Sequence, residues 1–146
     1  MATGTNRAVS LEVLSASADI PQRRFVTFKA TNGLALPATA GDSAKLAGVT
    51  LEAYDDSEAD IGGASTVIPV AVLDGGPLEV EAGEALTVGM VVISGNDGRA
   101  VESTTTAGGT VPAGNYQECG LVIGAAPAAG DVATILPFRG RIVTTA

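Results

Sequence analysis

The sequence predicts a mainly β protein, a compact antiparallel β-barrel or sandwich with at most one short helix. Three observations predict this class. Many short segments are rich in valine, isoleucine and threonine. Several of these segments alternate apolar with polar residues, as a strand with one wet face requires. The 19 glycines of the chain serve as corners between the segments. The length of 146 residues fits one domain, since domains usually have roughly 100 to 200 residues.

Nine segments, each bounded by turn residues, are predicted as strands. In chain order they are residues 8–14, 23–30, 48–53, 66–73, 86–93, 99–104, 119–123, 132–136 and 141–144. Residues 78–81, Leu-Glu-Val-Glu, alternate in the same way. The clearest element is a hairpin over residues 91–101, because its tip, Gly-Asn-Asp-Gly, supplies the positive φ angles that tight turns need. Helical signals are poor, and one helical turn is expected around residues 43–46 or 55–60.

Residues 1–20 are predicted to form an extended N-terminal arm, and residues 21–146 a single β-barrel or sandwich domain. The arm has one alternating apolar patch, Val9, Leu11 and Val13, which is too short to pack a core alone. Such a segment can add as a strand to the sheet edge of a neighbour through main-chain hydrogen bonds. Residues 103–114, rich in threonine and glycine, are predicted to be a long exposed loop.

Composition excludes several classes of function. The chain has no histidine, which removes histidine-based nucleophilic sites, acid–base chemistry and histidine-ligated metals. Eight basic residues against 16 acidic ones give a net charge of −8, which repels phosphate backbones and anionic lipid surfaces. Neither an export signal nor an apolar run of membrane-spanning length is visible. We therefore expect neither nucleic acid nor membrane as a partner, and synthesis in the cytoplasm.

Candidate reactive groups are few. The acidic cluster from Asp55 to Asp60 fits the calcium-loop template, begun at Asp56, at its first, third and fifth positions. Ile61 stands where that template requires glycine and Val67 where it requires glutamate, so a solvated acidic loop is favoured over a metal site. Cys119, before an apolar run, is predicted to be a buried strand residue. No phosphate-binding glycine loop is present. The sequence predicts no catalytic residue, cofactor or metal.

The class of function that remains is binding without catalysis. Arginines beside apolar residues are the candidate contact residues. Arginine is enriched at protein interfaces and pairs bidentately with carboxylates. The alternative is that these arginines form ion pairs with acidic residues of the same chain. Together with the arm, the predicted contacts with a protein partner or a neighbouring subunit are Arg7, Val9, Leu11, Val13, Arg23, Arg24, Arg139 and Arg141.

A series of glycine-cornered strands resembles the small capsid decoration, or cement, proteins of tailed bacteriophages. The series reads Gly-Val-Thr-Leu at 48–51, Gly-Glu-Ala-Leu-x-x-Gly at 83–89, Asp-Gly-Arg-Ala-Val at 97–101 and Gly-Leu-Val-Ile-Gly-x-x-Pro-x-Ala-Gly-Asp at 120–131. The resemblance covers about residues 48–138. The chain departs from the family in Met90, where an acid often stands, in its longer arm and in its threonine-rich loop.

The resemblance implies a structural virion protein without enzymatic activity. It implies a homo-oligomer, a trimer rather than a dimer, on the outer surface of the mature phage head, where it binds the major capsid protein and stabilises contacts between capsomers. One alternative is a ligand- or glycan-binding β-barrel module, such as a tail-associated adhesin, although the chain has only five aromatic residues for holding a sugar. Another is a metal-assisted hydrolase that uses the cluster from Asp55 to Asp60.

Overall fold

Two antiparallel β-sheets make up most of the described chain. The structure, a computed structural model, describes residues 8–12, 19–29, 33–55, 67–74, 76–95, 97–103, 111 and 113–145. The five-stranded sheet contains β1 (Ala8–Glu12), β2 (Phe25–Lys29), β3 (Gly33–Ala35), β4 (Leu46–Thr50) and β5 (Val67–Ala71). The six-stranded sheet contains β6 (Leu78–Glu81), β7 (Val91–Ser94), β8 (Ala100–Glu102), β9 (Gly114–Gly124), β10 (Val132–Pro137) and β11 (Ile142–Thr145). The helix α1 is one turn, Ala40–Ser43.

Both sheets curl. The order of the five-stranded sheet is β1-β5-β4-β2-β3, and its edge strands β1 and β3 come within 8 Å of each other between Cα atoms, so that the sheet forms a half-barrel. The other sheet has the order β6-β10-β9-β7-β8, with β11 paired to the first part of β9. Ala82, just after β6, bridges Ala100 in β8, and this bridge joins the two edges of the main path.

Alternation along the strands places the core. In β6 and β10 every second residue is buried, because one face of the six-stranded sheet packs against the five-stranded sheet. We call this packed face the inner face and the opposite one the outer face. The main core between the sheets includes Phe25, Val49, Val80, Val122 and Ile135. The fold class predicted from the sequence is therefore confirmed as mainly β and antiparallel.

Two smaller cores cover surfaces that the main core does not reach. One lies on the second face of the five-stranded sheet, where Ile20 and Tyr54 exchange backbone hydrogen bonds of 2.9 and 2.7 Å and pack with Val26 and Val70. The other lies on the outer face of the six-stranded sheet. It consists of Ile93, Val101, Val111 and Tyr116, with Ala40 of α1 and Val143 of β11 against it.

Two glycines are required by backbone geometry. A Cβ at Gly48 would overlap the carbonyl oxygen of Ala71 and lie 2.7 Å from Val70 Cγ1, so β4 and β5 approach each other only because the residue is glycine. Gly98 has a φ of +82°, in the left-handed region that side chains disfavour. Its carbonyl oxygen accepts a 2.8 Å hydrogen bond from the Phe25 N–H, which holds the β7–β8 turn against the start of β2.

The hairpin predicted over residues 91–101 is confirmed as β7 and β8, with Ser94 opposite Ala100. Cys119 is fully buried in β9, also as predicted. The helical turn begins at Ala40 rather than near residue 43, because Thr39 and Asp42 form a capping box. The sequence did not predict β3, and it placed the start of β9 five residues late, at Cys119 rather than Gly114. Residues 8–12 of the predicted arm form β1.

Candidate contact surface

Arg24 lies between the two sheets and pairs within the chain. Its side chain is buried, and Nη2 lies 3.0 Å from Glu81 Oε2 while Nη1 donates a 2.9 Å hydrogen bond to the carbonyl oxygen of Asp97. Arg99 Nε also pairs with Glu81 Oε2, so two guanidinium groups share one carboxylate. For Arg24 the structure therefore shows the intramolecular alternative that the sequence left open, and a buried pair of this kind positions the sheets.

Arg23 has a left-handed backbone conformation, and its side chain forms no ion pair with the described residues. Its φ is 60°, in the left-handed region, where residues other than glycine are uncommon. This conformation directs its N–H to the Thr50 carbonyl oxygen, 2.9 Å away, and its own carbonyl oxygen to the Glu81 N–H, 2.8 Å away. The backbone of Arg23 thus connects the two sheets. Its half-buried side chain lines an open cavity of 230 Å³ beside Leu51 and Glu79, and within the described residues no carboxylate pairs with it.

The C-terminal arginines lie on opposite sides of the six-stranded sheet's last turn. Arg139 Nη1 donates a 2.8 Å hydrogen bond to the carbonyl oxygen of Leu46, which ties this turn to β4. The Arg141 side chain is 77% exposed, and its Nε lies 3.0 Å from Oε1 of the buried Glu118. The second carboxylate oxygen of Glu118 accepts a 3.1 Å hydrogen bond from Ser103 Oγ. Arg141 therefore keeps its two terminal nitrogens at the surface.

The predicted arm contacts fall partly outside the described residues. Arg7 and Val13 lie outside them. Val9 and Leu11 belong to β1, opposite Val70 and Ile68 of β5 in the same chain, and the Val9 side chain is exposed. In the described part of the arm, strand addition thus takes place onto the chain's own sheet edge.

The sequence analysis did not predict a group of apolar side chains on the six-stranded sheet. Leu136 of β10, Leu121 of β9 and Val91 of β7 are cross-strand neighbours in one row, on the outer face. Ile123 and Val132 lie on the same face, and Ile123 is the extra residue of a β-bulge opposite Thr134 and Ile135. We call these five residues the outer apolar face. Ile123, Val132 and Leu136 are 39, 39 and 38% exposed, while Leu121 and Val91 are half-buried.

A sequence signal for this face exists. Strands covered on one side only should alternate, but Leu121-Val122-Ile123 and Ile135-Leu136 are continuous apolar runs. Such runs indicate that both faces of a strand are apolar. They do not identify which of the two faces the rest of the chain covers.

Reactive chemistry is sparse in the part of the chain that the structure describes. No group of three or more acidic, histidine or cysteine side chains there is arranged to hold a metal ion. Asp55 is exposed, and the rest of the acidic cluster lies outside the described residues. Burial raises the pKa of the Cys119 thiol, so the sulfur stays protonated and unreactive. Over the same part of the chain, no helix has the length and apolar character needed to cross a membrane.

Comparison with known proteins identifies the fold. No family model matches the chain. No curated protein matches it. Among solved structures, the chain is similar to the N base of head fiber gp8.5 of bacteriophage phi29, with a TM-score of 0.59 and 18% sequence identity. The similarity covers 92% of this chain and 98% of the other. At this identity the two proteins are shown to share a fold over nearly their whole lengths.

Proposed function

We propose that this chain is a structural subunit of a phage virion, a decoration or cement protein on the outer surface of the mature head. The observation that carries the proposal is the shared fold, which extends over 92% of this chain and 98% of a solved structure described as the N base of a phage head fiber. The glycine-cornered motifs, which resemble decoration proteins, point independently to a protein of the phage head. The activity proposed is adhesion alone, with no reaction.

The proposed partners are the major capsid protein and further copies of this chain, assembled as a trimer rather than a dimer. A subunit that binds the mature shell but not its precursor stabilises the shell by RT ln(1 + [L]/Kd), about 2.7 kcal/mol per site at a hundredfold excess over Kd. Several contacts on one oligomer raise the avidity by roughly 10² to 10⁴ when they engage together. The net charge of −8 is compatible with a position outside the shell, away from the packaged nucleic acid.

The test is reconstitution. Purified protein is mixed with heads of its phage that lack it, and the heads are sedimented and then heated. We expect the protein to co-sediment and the heads to withstand higher temperature than untreated heads. Absence of co-sedimentation at protein concentrations well above those of the head sites would contradict the proposal. Sedimentation equilibrium of the free protein measures its oligomeric mass, and a dimer at all concentrations would contradict the trimer.

A further inference from the structure

We propose that the outer apolar face is the surface with which this chain docks, and that its partner is a protein surface with an apolar centre flanked by lysine or arginine. The inference rests on the proposed function, because the partner it names is the surface of the phage head. It specifies which side of the molecule faces that surface and what chemistry the surface presents.

Contiguity is the first argument. Single exposed apolar residues are normal on protein surfaces, whereas apolar residues in contact across several strands mark interaction sites. Leu136, Leu121 and Val91 occupy directly opposed positions on three adjacent strands. Neighbouring strands are about 4.8 Å apart, so these side chains form an unbroken row. Ile123, two residues along β9 from Leu121, widens the row.

The second argument is what the chain itself covers. On the same outer face, Ile93, Val101 and Tyr116 are buried beneath Val111 and against Ala40 and Val143. The described part of the chain therefore provides a cover for one half of this face. In the other half, at the outer apolar face, Ile123, Val132 and Leu136 remain 39, 39 and 38% exposed. Contiguous apolar side chains left open beside a covered core of the same sheet mark a surface for interaction with another molecule.

The charges at the rim of the face select the partner. Glu79 is opposite Thr134 in the β6–β10 ladder and is exposed; Asp131 precedes Val132 and is also exposed. Neither carboxylate has a lysine or arginine within ion-pair distance among the residues that the structure describes. Glu81, opposite Val132, is already neutralised by Arg24 and Arg99. Arg23 lines the same cavity as Glu79 but forms no ion pair with it, and Arg141, near Val91 at the other rim, is paired with Glu118. On the β6–β10 side, the two carboxylates without an ion pair therefore make the rim acidic.

A second copy of the chain fits this rim poorly. Each copy carries a net charge of −8 and would bring the same two carboxylates, neither of them in an ion pair, to the contact. Like charges across an interface oppose association, while complementary charges favour it and steer the approach. A partner with an apolar centre and basic rim satisfies both the apolar row and the two carboxylates.

The experiment compares variants in the head-binding assay. Leu136→Asp and Ile123→Asp each place a charge in the centre of the outer apolar face. Phe28→Asp is the matched control, because Phe28 is 54% exposed on β2 of the other sheet. We expect wild type and Phe28→Asp to bind heads alike, and each face variant to bind at least about tenfold more weakly. Thermal unfolding establishes that each variant is folded, and either face variant alone suffices if the other is not.

The outcomes separate the two proposals. If wild type does not bind heads, the proposed function fails. If wild type binds and both face variants bind equally well, the docking face is wrong while the function stands. If the face variants instead lower the oligomeric mass of the free protein, a second copy covers this face, and the inference is overturned.

Charge reversal tests the basic rim. Glu79→Lys should weaken head binding, and Glu79→Gln should weaken it less, with wild-type binding falling as salt is raised. Stronger binding by Glu79→Lys would contradict a partner with lysine or arginine at its rim.

Discussion

The longest strand, β9, runs through two regions of the outer face, of which one is covered by other parts of the chain and the other is exposed. Its first part carries the buried Tyr116, which packs with Val111 and Ala40 of α1 and lies beside Val143 of the paired strand β11. Its last part carries Leu121 and the exposed Ile123, which the described chain leaves open. Apolar residues thus lie on the outer face in both parts of the strand, and the described chain covers only the first part. Apolar side chains alone therefore do not determine which part of the outer face is buried. The packing of α1 against the first part of β9 does.

The largest effect is expected in the covered region. Tyr116→Ala should lower the free energy of unfolding by about 3 to 5 kcal/mol, because it removes a large, fully buried side chain and leaves a cavity. Urea unfolding followed by circular dichroism measures the change. A loss of less than about 1 kcal/mol would mean that the covered region is no better packed than the open one.

Glu118 lies on the same strand between the two regions and should have an intermediate effect. Its buried carboxylate accepts hydrogen bonds from Ser103 Oγ and Arg141 Nε. Glu118→Gln removes the charge that both donors face and should cost about 1 to 3 kcal/mol in urea unfolding. Glu79→Gln is the control, since Glu79 is exposed and its replacement should change stability by no more than about 0.5 kcal/mol. Equal effects of the two substitutions would refute this role of Glu118.

A smaller effect is expected in the open region. Leu136→Thr keeps a residue that favours strands and removes apolar surface that is already 38% exposed. The free energy of unfolding of the isolated protein should fall by less than about 1 kcal/mol. The same substitution should weaken head binding, so stability and binding respond differently. A loss as large as that of Tyr116→Ala would show that Leu136 is part of the folding core.

Alkaline pH tests two buried titratable groups on β9. Burial raises the pKa of Tyr116 above its ordinary value of 10.0 and that of Cys119 above 9.0. The folded state therefore holds protons that the unfolded state releases, and stability is unaffected below about pH 9 and falls as pH rises beyond it. Urea unfolding between pH 8 and pH 11, on the experimental scale, checks the slope. Tyr116→Phe should reduce the slope above about pH 10, and an unchanged slope would assign it to other groups.

Local patterns in the sequence sufficed for much of the fold. The hairpin of β7 and β8 was predictable because its tip contains Gly98, which adopts the positive φ that a tight turn demands. The burial of Cys119 followed from its position before an apolar run. By contrast, β3 has three residues without a β-branched side chain, and it forms because β2 supplies its hydrogen-bond partners. The start of β9 likewise depends on pairing with β11.

The candidate site was predictable only in part, because it depends on contacts between distant residues. Arg24 and Glu81 are 57 positions apart, and nothing local to either indicates that they pair. The continuous apolar runs in β9 and β10 indicate strands with two apolar faces. That α1 covers one half of the outer face and not the other follows from where a distant turn of the chain packs.

The bridge between Ala82 and Ala100 closes two edges of the six-stranded sheet against each other. Open sheet edges present unpaired N–H and C=O groups on which another molecule can grow as an extra strand. The Gly83 N–H donates a 2.8 Å hydrogen bond to the Ala100 carbonyl oxygen, so the seam between β6 and β8 is occupied by the chain itself. Because this seam is closed, it gives a second copy of the chain no free edge for adding a strand, and one route to fibre growth is blocked.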